Sequence, residues 1–456
     1  MIRVAKLARF KRAIVSIALL SCLPLPLGVA QQHPNKFSSA TTPHKLIALK
    51  AIGTTRYTDK EILGATGLQF GQDAADGDFK EAVQRLGESG VFTGVAYSYS
   101  STPAGTKLEL QLADIDKSKL VLADFDNFVW FTDEQLVTEL QQRVPLFKRL
   151  LPIAGKLPDH VSEALQAMLT EKHYPGRVDY LRVGTQTGGP LQGIDYHVEE
   201  VDITIRSVEF PGASPEQASL LATAGRHLTG APYRRSAIAA VANFDLLPVY
   251  LQRGYLKAAF APSDAHLLAA TSSSDDAHEQ GSADIQVAAI IPVTPGKVYA
   301  TSGVDWKGNS AIATAEIAPL VHLPNGQPAD AVSLVRDLEN VGKLYRSRGY
   351  FMAQISPDPH FDDEKATVHY DLMVSEGALF KMGELEIQGL DSQSKARLVE
   401  AWALQEGQPY NADYLKKFLD ATRQLLPRGG HWGVTVHVTP DTRDKTVDVE
   451  LRFRQD

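Results

Sequence analysis

Gly326-Gln327-Pro328 and, twenty residues on, Leu344-Tyr345-Arg346-Ser347-Arg348-Gly349-Tyr350 carry the two marks that decide how this chain is organised. The first mark is a turn glycine before a long helix, and it recurs at Gly71-Gln72-Asp73, Gly155-Lys156-Leu157, Gly230-Ala231-Pro232-Tyr233 and Gly407-Gln408-Pro409-Tyr410. Spacings of 84, 75, 96 and 81 residues between these glycines imply five copies of one unit. The second mark is a helix-stopping glycine followed by an aromatic: Gly90 with Phe92, Gly254-Tyr255, Gly349-Tyr350 and Gly430 with Trp432. In the second unit the order is reversed, as His173-Tyr174-Pro175-Gly176. Glycine past a helix end accepts the left-handed backbone that reverses the chain, and the aromatic is expected to drop back into the core beneath the helices.

Between the marks each unit has the same grammar. An alternating strand opens it, as in Leu46-Ile47-Ala48-Leu49-Lys50-Ala51-Ile52 or Leu385-Glu386-Ile387-Gln388. A capped helix follows at Thr58-Asp59-Lys60-Glu61, Thr132-Asp133-Glu134-Gln135 or Ser214-Pro215-Glu216, where the hydroxyl satisfies first-turn amides. After the glycine turn comes a longer amphipathic helix; in unit four Val332, Val335, Leu338, Val341, Leu344 and Tyr345 are read as its apolar face. A hairpin closes the unit, with period-two apolar residues such as Val368, Tyr370, Leu372 and Val374, or Val447, Val449, Leu451 and Phe453. The expected fold is α+β: a tandem array of five β-α-α-β-β modules, each a three-stranded mixed sheet covered on one face by two helices. The boundaries are 46–118, 119–202, 203–296, 297–378 and 379–456, with an inserted solvated loop at 266–282 in the third. Each small core is expected to be filled by its own aromatics.

Composition bounds the rest. The 456 residues are 44% hydrophobic and 22% charged, too apolar for a disordered chain and long enough for several domains. Arg3, Lys6, Arg9, Lys11 and Arg12 precede an apolar run and Gly28-Val29-Ala30, the pattern of a secretory signal at 1–30, followed by a polar linker at 31–45. Removing that signal takes away five positive charges and moves the net charge from −8 to −13, which disfavours nucleic acid as a partner. Cys22 is the single cysteine, so no disulfide framework forms; Leu19-Leu20-Ser21-Cys22 also resembles a lipidation box, leaving Cys22 as a possible acylated N-terminus.

The combination of opening strand, capped helix, Gly-x-Pro, second helix, Gly-aromatic and hairpin ending at Ser375-Glu376-Gly377 resembles the POTRA (polypeptide-transport-associated) domain over about 46–456. The resemblance implies a periplasmic location at the outer membrane. It also implies partners among outer-membrane barrel proteins or their unfolded polypeptides, with membrane association only through such a partner or a lipid on Cys22. Members that assemble or secrete proteins usually continue into a barrel, whereas this sequence stops at Asp456. In the family the strand after the second helix lies at a sheet edge, where an extended peptide can add as a further strand. The corresponding segments are 95–100, 177–183, 256–261, 352–356 and 434–438, with Val95, Tyr97, Tyr99, Met352, Gln354, Ile355, Val434, Val436 and Val438 as the site residues and the terminal modules four and five as the favoured docking end.

No catalytic constellation emerges. His360-Phe361-Asp362-Asp363-Glu364 reads as a solvated hairpin loop rather than a metal site. Ser392-Gln393-Ser394-Lys395 has the spacing of a serine-lysine enzyme motif but stands where a helix cap is due, and its companion motifs are missing. Neither cofactor nor small-molecule substrate is expected. A rigid envelope spacer with idle edges is the alternative, and an exported hydrolase the third reading.

Overall fold

The computed structural model describes residues 44–184, 190–268, 284–427 and 431–455. The expected signal with Cys22, all of the linker except 44–45, Gly430, and most of the 266–282 loop lie outside the described residues. Those residues pack as two compact units, 44–247 with 259–294, and 248–258 with 295–455. No helix among them is long and apolar enough to cross a membrane.

The first unit begins with β1 (His44–Ile52), α1 (Asp59–Thr66), β2 (Asp73–Ala74), α2 (Asp76–Glu88), β3 (Phe92–Thr102) and β4 (Gly105–Asp114). It continues with β5 (Leu120–Phe125), α3 (Asp133–Arg143), β6 (Leu150–Pro152), α4 (Leu157–Glu171), β7 (Arg177–Gly184) and β8 (Leu191–Glu199). Next come β9 (Asp202–Glu209), α5 (Pro215–Ala224) and α6 (Arg235–Val241), a π turn at Ala242–Leu246 and α7 (Leu247–Leu251), whose residues from Pro248 onward belong to the second unit. β10 (Ala259–Phe260), β11 (Asp264–Leu267), β12 (Asp284–Ile290) and β13 (Val293–Thr294) follow. The second unit contains β14 (Ala300–Lys307), α8 (Thr314–Ile317), α9 (Ala331–Ser347), β15 (Gln354–Asp362) and β16 (Thr367–Ser375). It ends with β17 (Lys381–Gln388), α10 (Ser392–Ala401), α11 (Tyr414–Thr422), β18 (Trp432–Asp441) and β19 (Thr446–Gln455).

The result is a mixed α+β chain of several small sheets. In each main sheet the last strand is central, with the opening strand parallel to it on one side and an antiparallel strand on the other: β1-β4-β3, β5-β8-β7, β9-β12-β11, β14-β16-β15 and β17-β19-β18. Short β2 and β6 widen two of these sheets to four strands, and β10 pairs with β13 in a separate ribbon. The helix complement is less regular than the repeat suggests. α8 is a single turn of four residues, and the helix after Gly230 is broken by the π turn.

Capping follows the sequence. Thr58, Thr132 and Ser214 each accept from the backbone of the third helical residue, whose Glu or Gln side chain reaches back. Asp391, not Ser392, caps α10, accepting from Ser394 N at 2.9 Å; the Ser-x-x-Lys spacing is the first turn of a helix.

Two expectations about packing need correcting. The stretch from Leu46 to Val198 shares one continuous apolar core, including Phe79, Leu110, Phe147, Leu165 and Tyr196, so the first two modules do not have separate centres. The two modules meet where the chain leaves α2: Lys156 N donates to Glu88 O at 2.8 Å and Leu157 N to Ser89 O at 3.3 Å. The last module does keep its own core of Phe380, Ile387, Leu398, Phe418 and Leu451. On α9 the buried stripe is Leu334, Leu338, Val341 and Tyr345, whereas Val335, a 100° step around the helix from Leu334, is 65% exposed.

Candidate functional site

The Gly-x-Pro turn clasps the outer side of the opening strand. Gly326 N donates to Thr301 O at 2.8 Å, Thr301 N to Gln327 O at 2.9 Å, and Ala329 N to Tyr299 O at 2.9 Å. Between those bonded pairs Pro328 faces Ala300 in an isolated bridge. That is the slot where a strand N–H points away from its partner, so proline loses nothing there. The same set of bonds joins Gly407 and Gln408 to Met382, and Gly230 and Ala231 to Ile205. Gly71 and Gln72 hold Leu46 in the same way.

The second module departs from the pattern. Its clasp is formed by Arg149, which accepts from Ala123 N at 2.9 Å and adopts φ +59°. The expected mark Gly155 lies instead against Gly90, where a Cβ on Gly155 would stand 2.6 Å from the Gly90 Cα. Glycine spacing alone could not separate a turn glycine from a contact glycine.

Because the clasp covers one flank, the open edge of each sheet is the antiparallel strand: β3, β7, β11, β15 or β18. Val95, Tyr97 and Tyr99 lie at alternate positions on β3; the Tyr97 hydroxyl donates to Asp76 at 2.7 Å, and Tyr99 packs 5.0 Å from the Phe79 ring. On β7 the Val178 N–H is taken by the Gln166 side chain at 2.8 Å and the Tyr180 N–H by Asp179 at 2.8 Å, which partly satisfies that edge. In the third module the edge expected at 256–261 is displaced. Leu256 N bonds Gly254 O and Ala258 N bonds Tyr255 O, making that segment a turn, and β11 supplies the outer strand.

Met352 likewise sits in a turn, closed by Ala353 N on Tyr350 O at 3.1 Å, and β15 begins only at Gln354 and Ile355. Pro357 and Pro359 follow on the same strand, opposite Leu372 and Tyr370. Two residues apart, they share one backbone orientation, and an edge strand accommodates them with the missing N–H directed outward. The outer flank of β15 therefore lacks two consecutive donors. Beside its first residues, a groove of about 920 Å³ runs between α9 and β15, lined by Val335, Leu338, Ile355 and Met373. β18 has no proline before Pro440; its Val434, Val436 and Val438 pack partly buried against the core of the last module.

The Gly-aromatic mark forms the joints inside each unit. Phe380 N donates to Gly349 O at 2.7 Å, and a Cβ on Gly349 (φ +93°) would meet Phe380 O at 2.9 Å and Pro409 at 3.3 Å. Tyr299 N donates to Gly254 O at 2.8 Å in the same manner. Tyr255 and Tyr350 stand edge-on to Tyr250 and Tyr345 at 5.5 and 5.9 Å, Phe92 edge-on to Tyr57 at 5.6 Å, and Trp432 Nε1 donates to Pro427 O at 3.1 Å.

Charged groups missed by the repeat pattern lie in the first unit. Arg235, with a side chain 19% exposed, pairs with Asp133 and, at 3.3 Å, with Asp264. Burial, with Asp126 and Asp124 nearby, pushes the Asp195 carboxyl up to about 6. In the second unit, His360 is not in a loop: it lies on β15, its Nε2 3.0 Å from Asp371 Oδ2.

Residues 299–377 match the model of the POTRA family, described as surface antigen variable number repeat. The match falls on β14 through β16, where the repeat is clearest. A stretch of 176 residues, 36% of this chain, is 22% identical to outer membrane protein assembly factor BamA of Neisseria meningitidis serogroup B, and spans 22% of that protein's length. The crystal structure of Haemophilus influenzae BamA POTRA3-5 is 19% identical, with 56% of this chain and 96% of that one covered at a TM-score of 0.41. The N-terminal domain of Omp85 from Thermosynechococcus elongatus is 16% identical, with 56% and 97% covered at a TM-score of 0.22.

Proposed function

We propose that this chain is a non-enzymatic scaffold of five POTRA-like modules that works in the periplasm at the outer membrane. In this reading it binds extended polypeptide, either an unfolded outer-membrane protein or a segment of a barrel protein, during assembly or secretion. The match at 299–377 and the likeness to an outer membrane protein assembly factor support that setting. The mode of binding is strand addition, and the observation that carries it is the asymmetry of the sheets. The opening strand is clasped by its own turn, while the antiparallel strand is left at the edge. An edge with unpaired N–H and C=O groups is completed by any extended guest, with weak demands on its sequence.

Among the expected docking ends, β18 fits this mode better than β15. Pro357 and Pro359 remove donors from β15, whereas 432–439 of β18 contains no proline. Pro440 marks the outward-facing set on β18, which therefore includes Val436 and Val438. Val436→Pro removes an outward donor while leaving the ladder to β19 in place. Titration of the purified chain with fluorescent peptides of alternating barrel-strand pattern is expected to give saturable, salt-insensitive binding, lost in Val436→Pro and kept in Val436→Thr. Equal binding by all three proteins would remove strand addition at β18. If no peptide binds, the spacer reading stands.

A further inference from the structure

The face of the β14-β16-β15 sheet turned away from α9 holds an arrangement that a scaffold does not need. Asp305, Asp371 and Asp358 stand directly opposite one another in a single row across three strands. Like charges placed directly across a sheet destabilise it, and Lys307, paired with Asp371, supplies one positive charge against these three carboxylates. In the adjacent row His369 faces His360 on β15 and Gly303 on β14. A Cβ on Gly303 would come within 2.9 Å of the His369 ring, so the glycine leaves the imidazole its place.

The two oxygens of Asp371 are used differently. Oδ2 accepts from Lys307 Nζ and lies 3.0 Å from His360 Nε2. Oδ1 faces His369 Nε2 at 3.8 Å, and the same Nε2 lies 3.0 Å from Asp305 Oδ2. One imidazole nitrogen thus points between two carboxylates. A proton there bonds one of them, whereas a divalent ion bonds all three groups. The donor atoms of Asp305, His369 and Asp371 lie within 4.8 Å of one another, as do those of Asp358, His360 and Asp371. Asp371 is only 12% exposed at its side chain, and Lys307 and His360 fix its carboxylate, so its orientation is set before any ion arrives.

We propose that Asp305, His369 and Asp371 bind one divalent transition-metal ion of the zinc class, with water completing the coordination, and that His360 and Lys307 act as positioning residues for Asp371. Two carboxylates and an imidazole suit Zn²⁺, while an imidazole donor selects against Mg²⁺ and Ca²⁺. Partners that orient a ligating carboxylate change affinity by roughly tenfold or more. The ion would neutralise the aspartate row and tie β14 to β16 at the centre of the module.

The test is a competition titration of the tag-free chain, stripped with EDTA, using Zn²⁺ against a chromophoric chelator, with Mg²⁺ in parallel. The expected result is one saturable Zn²⁺ site and no response to Mg²⁺. Binding should weaken by at least about a hundredfold in His369→Ala and by roughly tenfold in His360→Ala, as for a positioning partner. Asp305→Asn, on a side chain 68% exposed, is a second ligand variant that leaves the buried framework untouched. Zn²⁺ should also raise the unfolding temperature of the wild-type chain and not of His369→Ala. No saturable binding to the wild type, or an affinity unchanged by both His369→Ala and Asp305→Asn, overturns the proposal.

Discussion

Gly349 and Gly326 make a controlled comparison. Both have positive φ, +93° and +80°, so alanine at either site incurs the same backbone strain, about 1–2 kcal/mol. Their surroundings differ. A Cβ on Gly326 has nothing within 4 Å, whereas one on Gly349 would be 2.7 Å from Leu379 Cδ1 and 2.9 Å from Phe380 O. The Leu379 tip can move. Phe380 O cannot move freely, because it accepts from Tyr410 N at 2.9 Å while Phe380 N donates back to Gly349 O. Relieving the clash therefore loosens at least one joint hydrogen bond, worth about 1 kcal/mol, and the contact with Pro409. Gly349→Ala should cost about 2–4 kcal/mol and Gly326→Ala about 1–2 kcal/mol. Urea unfolding followed by tryptophan fluorescence, with Trp306 in one module and Trp402 and Trp432 in the next, measures both from the midpoints at unchanged slope. A Gly349→Ala midpoint equal to or above that of Gly326→Ala would refute the assignment of Gly349 to the joint.

Three further outcomes are expected. Asp195 titrates at about 6 in the folded chain against an ordinary 3.8, so the folded state holds the proton more tightly; its stabilising contribution is complete below about 4 and lost as pH rises through about 6. Asp195→Asn should accordingly stabilise the chain at pH 7.5 by about 1 kcal/mol after allowance for partial exposure, with the gain vanishing near pH 4, as read by melting curves across pH. Arg235→Ala strips the counter-charge from Asp264 and one of two from Asp133 and should cost about 2–3 kcal/mol, with Arg235→Lys recovering only part because it cannot fork between the two; chemical denaturation checks this. Replacing Pro357 and Pro359 together by threonine restores two outward donors on β15 and should promote self-association, visible by light scattering, while a chain that stays monomeric would show that the prolines do not guard that edge.

Glycine, proline and hydrophobic period were enough to read the α+β class, the helix caps and the recurrence of the unit, because these depend on backbone conformation and local hydrogen bonding that neighbouring residues set. Residues 46–52, 368–374 and 447–453 were legible as strands for the same reason. The edge residues were legible only in part: Val95, Tyr97, Tyr99, Val434, Val436 and Val438 lie on edge strands, whereas Met352 and 256–258 lie in turns whose closure depends on single long-range-free bonds that periodicity does not register.

Tertiary structure alone decided what meets what. The merged core of the first two modules, the use of Gly155 against Gly90, and the convergence of Asp305, Asp358, His360, His369 and Asp371 depend on register between strands tens of residues apart. A one-residue slip in β15 would turn Asp358 and His360 to the other face and remove them from that cluster while leaving the composition of the strand unchanged. Local preference makes the elements; pairing across the sheet makes the surfaces on which a guest or an ion can act.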